Sequence, residues 1–312
     1  MTLQFDLDLD AEPGRVDLVG PGIRRVLAPN PGPFTFKGTG TYIVGEGRVA
    51  VIDPGPADAA HIDALVRALG TETVSHLVIT HTHSDHSPGA RLLQERVGGL
   101  IVGCAPHPDG DAAIPIVEPP TGSDEVRPDE PREGHDADHV PDLQLHDSEA
   151  VSGPGWTLEA IETPGHIANH LCFAFREADV IFSGDHVMRW STSVISPPTG
   201  DLRAYLASLG KVQARPETVY WPTHGPAVRD PQTYLPALAA HREHRTQQIV
   251  EALSTGQQTV VQLVAGMYPG LDPRLVKAAG RSVLAHLLAL MADERVEATG
   301  PHEDPSSWFT LR

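Results

Sequence analysis

The sequence predicts an α/β (α+β) protein: a layered domain of strands and helices, then a small helical one. Three observations carry this. Strand-like apolar runs alternate with segments of helical periodicity from residue 40 to about 230. Several of these runs end in a Pro or Gly turn followed by His or Asp, at residues 81, 166, 185 and 224. Beyond Pro231 the pattern changes to three helical segments and a short closing pair of strands.

Composition supports this division. A chain of 312 residues accommodates one large domain and one small one. Its 40% hydrophobic and 21% charged residues suffice for a buried core, and with aromatics at 5% that core must rest on Val, Leu, Ile and Ala. The formal charge of −18 disfavours passive attraction to nucleic acid or to anionic membrane. Between Asp109 and Glu149 thirteen acidic residues face two arginines, so the acidity is concentrated there. Cys104 and Cys172 lie in apolar stretches and are expected as buried free thiols of a reducing compartment. The first ten residues have neither a basic region nor an apolar run, so no signal peptide is expected. No apolar segment approaches the 18 residues of a membrane span. The expected location is cytoplasmic.

Taken in order, residues 1–35 are Pro- and Gly-rich, with short strands near Val16–Val19 and Ile23–Ala28. Gly40–Val44 and Arg48–Asp53 read as a strand pair joined by Gly45-Glu46-Gly47. Ala57–Leu69 carries Ile62, Leu65, Val66 and Leu69 at helical spacing, and Gly70 stops it. Val74–Ile79 is a strand, Gly89–Val97 a helix and Leu100–Cys104 a strand. Residues 106–138 lose all periodicity, and their Pro, Asp, Glu and Gly predict a solvated, flexible insert. Order is expected to resume at Trp156–Thr163, then Leu171–Arg176, Val180–Ser183, a helix over Asp201–Ala214 and a strand at Val219–Trp221. The catalytic domain is thus expected over 1–230. The tail over 231–312 holds helices at Tyr234–Leu253, Thr259–Met267 and from Asp272-Pro273 to about Glu294, then strands at Arg295–Thr299 and Ser307–Leu311. This order reads as winged-helix-like.

The chemistry is concentrated in Thr80-His81-Thr82-His83-Ser84-Asp85-His86, directly after a buried strand. Burying three imidazoles and a carboxylate without partners costs several kcal/mol, on the order of 2 or more per group. Metal coordination resolves this, since neutral imidazole and carboxylate both suit Zn²⁺. His81 and His83, two apart on an extended segment, reach one ion; Asp85 and His86, further round the turn, reach a second. His166, Asp185 and His224 follow later strand ends and are candidates to complete the set. His107, His135, His139 and His146 match no ligand spacing. His241 and His244, at i and i+3 on a helix, read as surface residues.

His81-Thr-His83-Ser-Asp85-His86, Thr163-Pro-Gly-His166, Ser183-Gly-Asp185 and Pro222-Thr-His224-Gly together resemble the metallo-β-lactamase superfamily. Asp53-Pro-Gly is similar to its first motif. Gly40-Thr-Tyr42, Trp190–Pro198 and His241-Arg-Glu-His-Arg resemble, more narrowly, the β-lactamase-like protein 2 group. The resemblance implies a four-layer αββα sandwich with two zinc ions per chain and a winged-helix-like C-terminal domain. By residue match His81, His83 and His166 hold the first ion, Asp85, His86 and His224 the second, and Asp185 bridges both. The implied reaction is hydrolysis by a hydroxide held between the ions, with Asp85 and Asp185 catalytic. Asp53 is expected to support the ligand loop from behind. His170 and His186 adjoin ligands and contact substrate, support the ligands, or are simply structural.

The implied substrates are small molecules with ester, thioester, lactone or phosphodiester bonds. Single-stranded RNA is an alternative, since the animal member of that group is an endoribonuclease. The tail from Ala237 carries seven basic and eight acidic residues, so it is no electrostatic nucleic-acid binder. It is expected to pack on the sandwich, or to contribute to a homodimer or a substrate channel. A non-catalytic ligand-sensing or nucleic-acid-binding regulator is the alternative of another class. The 19 residues from His166 to Asp185 leave no room for the large insert of nucleic-acid-cleaving β-CASP enzymes. A glutathione-thioester hydrolase would want a basic cluster after the last ligand, where Arg229, Arg242 and Arg245 are scattered instead.

Overall fold

The computed structural model describes residues 3–108, 134–301 and 307–312. The centre of the expected acidic insert, 109–133, lies outside the described residues.

Two sheets form the body. The first contains β1 (Val16–Gly20), β2 (Ile23–Leu27), β3 (Gly40–Val44), β4 (Arg48–Ile52), β5 (Thr73–Ile79), β6 (Leu100–Gly103) and β7 (Leu143–Gln144), side by side in that order. The second runs β12-β11-β10-β9-β8, with β8 (Ala150–Gly153), β9 (Trp156–Glu162), β10 (Leu171–Phe175), β11 (Val180–Gly184) and β12 (Val219–Pro222). β4, β5 and β6 run parallel, as do β11 and β12. The strands β7 and β8 were not expected from the sequence. They are short and largely exposed, so no apolar alternation announces them.

The continuous apolar runs follow from burial on both faces. Along β10, Leu171, Phe173 and Phe175 enter the core between the sheets, while Cys172 and Ala174 enter a second core behind. Helices α1 (Ala59–Leu69) and α2 (Gly89–Val97) cover the first sheet with Ile62, Leu65, Leu69 and Leu93. Helix α3 (Leu202–Gln213) covers the second with Leu202, Tyr205, Leu209 and Val212. Asp58 and Asp201 start α1 and α3 by accepting backbone N–H groups from His61 and Ala204. The result is the αββα layering.

Helix α4 (Pro231–Ser254) links this body to the tail. Its first half places Tyr234, Leu235 and Leu238 in the core behind the second sheet. Its second half places Ile249 and Leu253 in a separate core with α5 (Val260–Met267), α6 (Val276–Ala292) and the hairpin β13 (Val296–Thr299) and β14 (Trp308–Leu311). Thr259 opens α5 with a full capping box to Gln262. Asp272-Pro273 does not begin α6 directly: a 3-10 turn, Pro273–Leu275, comes first. Cys104 and Cys172 are both free and buried. Among the described residues no helix is long and apolar enough to cross a membrane.

Candidate metal centre

The site lies where strand ends from both sheets meet. β4 leads to Asp53, β5 leads into 81–86, the β9–β10 turn carries His166, and β11 and β12 lead to Asp185 and His224. Parallel strands deliver their C-terminal ends to one edge, which is why residues as distant in sequence as His81 and His224 converge here.

Nε2 of His81 and Nε2 of His166 stand 3.1 and 2.9 Å from Nδ1 of His83. Three nitrogens bound tetrahedrally at zinc distances would lie roughly 3.3 Å apart. Burial holds the rings of His81 and His83 well below the usual imidazole range, leaving them neutral with lone pairs to offer.

A second group forms beside it. His224 Nε2 lies 3.1 Å from Asp85 Oδ2 and 3.5 Å from Asp185 Oδ1. His86 Nε2 lies 3.5 Å from Asp85 and 3.7 Å from Asp185. Asp185 Oδ2 is also 3.8 Å from His166 Nε2, so its carboxylate faces both groups. His86 Nε2 and Asp185 Oδ1 are buried without hydrogen-bond partners. Burial by itself lowers His224, but the Asp185 and Asp85 carboxylates outweigh it and raise the ring to about 10. His86 is likewise raised well above its usual value, against burial, by Asp85, Asp185 and Asp53. Burial would raise the carboxyls of Asp85 and Asp185, yet the two imidazoles hold both below the usual range. Two carboxylates and two imidazoles thus face one another there, a donor set suited to a divalent cation. The donor set fits a pair of such ions.

The outer nitrogen of several rings is held by the protein. His86 Nδ1 meets Asp53 Oδ2 at 2.9 Å, His166 Nδ1 meets the Val194 carbonyl at 2.5 Å, and His224 Nδ1 meets the Gly38 carbonyl at 3.2 Å. His81 Nδ1 lies 3.0 Å from Thr80 Oγ1. These contacts fix which nitrogen points inward.

The three supporting candidates separate. Asp53, at φ 47°, accepts from Thr80 N–H, Thr80 Oγ1 and Thr223 Oγ1 as well as facing His86. His170 accepts the Asp185 backbone N–H on Nε2 and meets Thr163 Oγ1 with Nδ1, so it sits behind the ligands. His186 is buried against the Tyr205 ring, with neither nitrogen partnered. Sequence reasoning missed Thr80 and Thr223. Each directly precedes a candidate ligand histidine, and that repeated Thr-His pair was the available signal. Of the unassigned histidines, His107 and His135 stack at 4.2 Å, with His107 also 2.8 Å from Thr82 Oγ1. His139 is buried 3.6 Å from the Cys104 sulfur. His146 is exposed, as is His244, while His241 is half-buried.

This fold, with a His and Asp cluster able to hold metal, is that of a hydrolase family. Residues 35–224 match the Metallo-beta-lactamase superfamily, and the chain belongs to that family as one of its hydrolases. Residues 259–308 match the Beta-lactamase associated winged helix domain. An atrochrysone carboxyl ACP thioesterase from a Cryptosporiopsis species is 27% identical over 95% of this chain and 87% of its own length. A beta-lactamase-like protein 2 homolog from Caenorhabditis elegans is 28% identical over 94% of this chain and 92% of its own. A beta-lactamase domain protein from Burkholderia ambifaria, 21% identical, shares the fold with a TM-score of 0.76 over 99% of this chain and 97% of that one.

Proposed function

We propose that this chain is a dinuclear zinc hydrolase that cleaves the thioester of a carrier-bound or small-molecule acyl group. The observation that carries the metal reading is the convergence of seven side chains in three overlapping groups, with outer ring nitrogens held by the protein. The thioester reading is supported by the relative that bears a thioesterase name. The scattered arginines after His224 argue against glutathione as the carrier.

Bound here, two divalent cations supply Lewis acidity and a nucleophile competent near neutral pH. The residues do the rest. His81, His83 and His166 hold one position, and Asp85, His86 and His224 the other. Asp185 faces both and keeps them in register. Asp85 commits Oδ2 to Thr39 Oγ1 and His224, at 2.9 and 3.1 Å. Its side chain is 21% exposed, against 10% for Asp185. Of the two carboxylates Asp85 is the more exposed, and we assign it the orienting of the attacking group.

The test is a turnover screen of the full chain supplied with zinc. Its arms are an acyl-pantetheine thioester, an aryl ester, a lactone, a phosphodiester, a single-stranded RNA and a chromogenic β-lactam. Thioester turnover is expected, with two zinc ions per chain by elemental analysis. Asp185→Asn should stay folded and lose at least about 1,000-fold in kcat/KM. Protein that takes up no zinc, or thioester turnover that survives Asp185→Asn, would sink the proposal. RNA cleavage lost in the same variant would move the assignment to a nuclease.

A further inference from the structure

We propose that Arg242, on the helix joining body and tail, is a positioning residue for His166. It fastens the irregular segment whose next carbonyl holds that imidazole. The inference rests on the metal reading of the site.

The segment from Met188 to Gly200 forms no helix or strand. Without ladder hydrogen bonds it needs other fastenings. Arg242 Nη2 donates to the Ser193 carbonyl. The next carbonyl, Val194, meets His166 Nδ1 at 2.5 Å. Ile195 anchors the following residue in the core behind the second sheet. The Arg242 guanidinium also lies over the Tyr205 ring, 5.4 Å from its centroid. Tyr205 forms the opposite wall: a Cβ added to Gly165, the residue before His166, would fall 2.3 Å from Tyr205 Cα. Arg242 thus braces both structures that flank His166.

A pure packing role does not account for this residue. Arg242 is only 4% exposed, and among the described residues no carboxylate pairs with it. Its Nε has no partner. Burial accordingly lowers the guanidinium from its usual range. A leucine or methionine would fill such a place without burying an unpaired charge. What the guanidinium adds is a donor that reaches the Ser193 carbonyl while its plane rests on an aromatic face.

Metal-stripped full chain, titrated with Co²⁺ and followed by absorption, tests this. The wild type should bind two ions. Arg242→Met should bind one of them about 10–100-fold more weakly, with the other unchanged and with wild-type far-UV circular dichroism. Arg242→Lys should regain part of the loss, since it keeps a donor without the planar fork. If Arg242→Met does not fold, Arg242→Gln carries the same comparison. A folded variant that binds both ions with wild-type constants overturns the proposal, even if it melts earlier, because Arg242 is then merely structural. A wild type that takes up no Co²⁺ overturns the metal reading itself, and this proposal with it.

Discussion

Asp53 shows how one residue carries several demands. It follows β4 in a left-handed conformation and collects the Thr80 and Thr223 donors and the His86 ring on one carboxylate. Asp53→Asn isolates the charge, because Asn tolerates the same backbone conformation. Its amide brings two N–H donors to a place already crowded with donors. Zinc affinity should fall about 10–100-fold, measured by competition with a chromogenic chelator. Unchanged affinity would show that His86 needs no carboxylate behind it. The sequence pointed to Asp53 as a support of the ligand loop through its Pro-Gly turn but left the roles of His170 and His186 open. Separating them required the contacts: His86 for Asp53, the Asp185 backbone for His170, and the Tyr205 ring for His186.

At the level of elements, the turn between β9 and β10 and helix α3 are packed backbone to backbone. Gly165 has φ +139°, and a side chain there would strike Tyr205. Gly165→Ala should therefore destabilise the chain by about 3 kcal/mol, read from urea unfolding. It should also weaken the proposed first metal position, to which His166 is assigned from that turn. A variant with wild-type stability would mean that α3 gives way easily. Helix α4 was legible as a helix but not as a beam through two cores. Its apolar residues serve one core in its first half and another in its second, so no single stripe runs its length. The buried Arg242 between them was missed for the same reason.

The tail's place in the whole molecule sets its acid response. His286 on α6 is buried against α4, with Nδ1 2.8 Å from Thr246 Oγ1. Burial, then Arg242 and Arg245, lower it from 6.5 to about 3. The native state thus refuses a proton that the unfolded chain accepts. Stability should fall as pH drops from 6.5 toward 3, by on the order of a few kcal/mol for this group. His286→Gln keeps a partner for Thr246 and should flatten that slope between pH 6.5 and 4. Urea unfolding at stepped pH measures it, and an unchanged slope would assign the acid sensitivity to other buried histidines. Basic and acidic residues are nearly balanced in the tail, which packs onto the body through α4 and α6.

By itself the sequence determined the alternation of elements, the seven candidate ligands and the change of character near Pro231. These are readable because strand and helix periods are local, and because His and Asp at strand ends carry their chemistry with them. It did not reveal β7 and β8, which bury too little to leave a pattern, nor the contacts that aim each ring. His166 is held by a carbonyl 28 residues away and His224 by one 186 residues away. Such partners are backbone atoms that every residue possesses, so no side chain announces them. Only the packing of two sheets, α3 and α4 around one edge brings them into place.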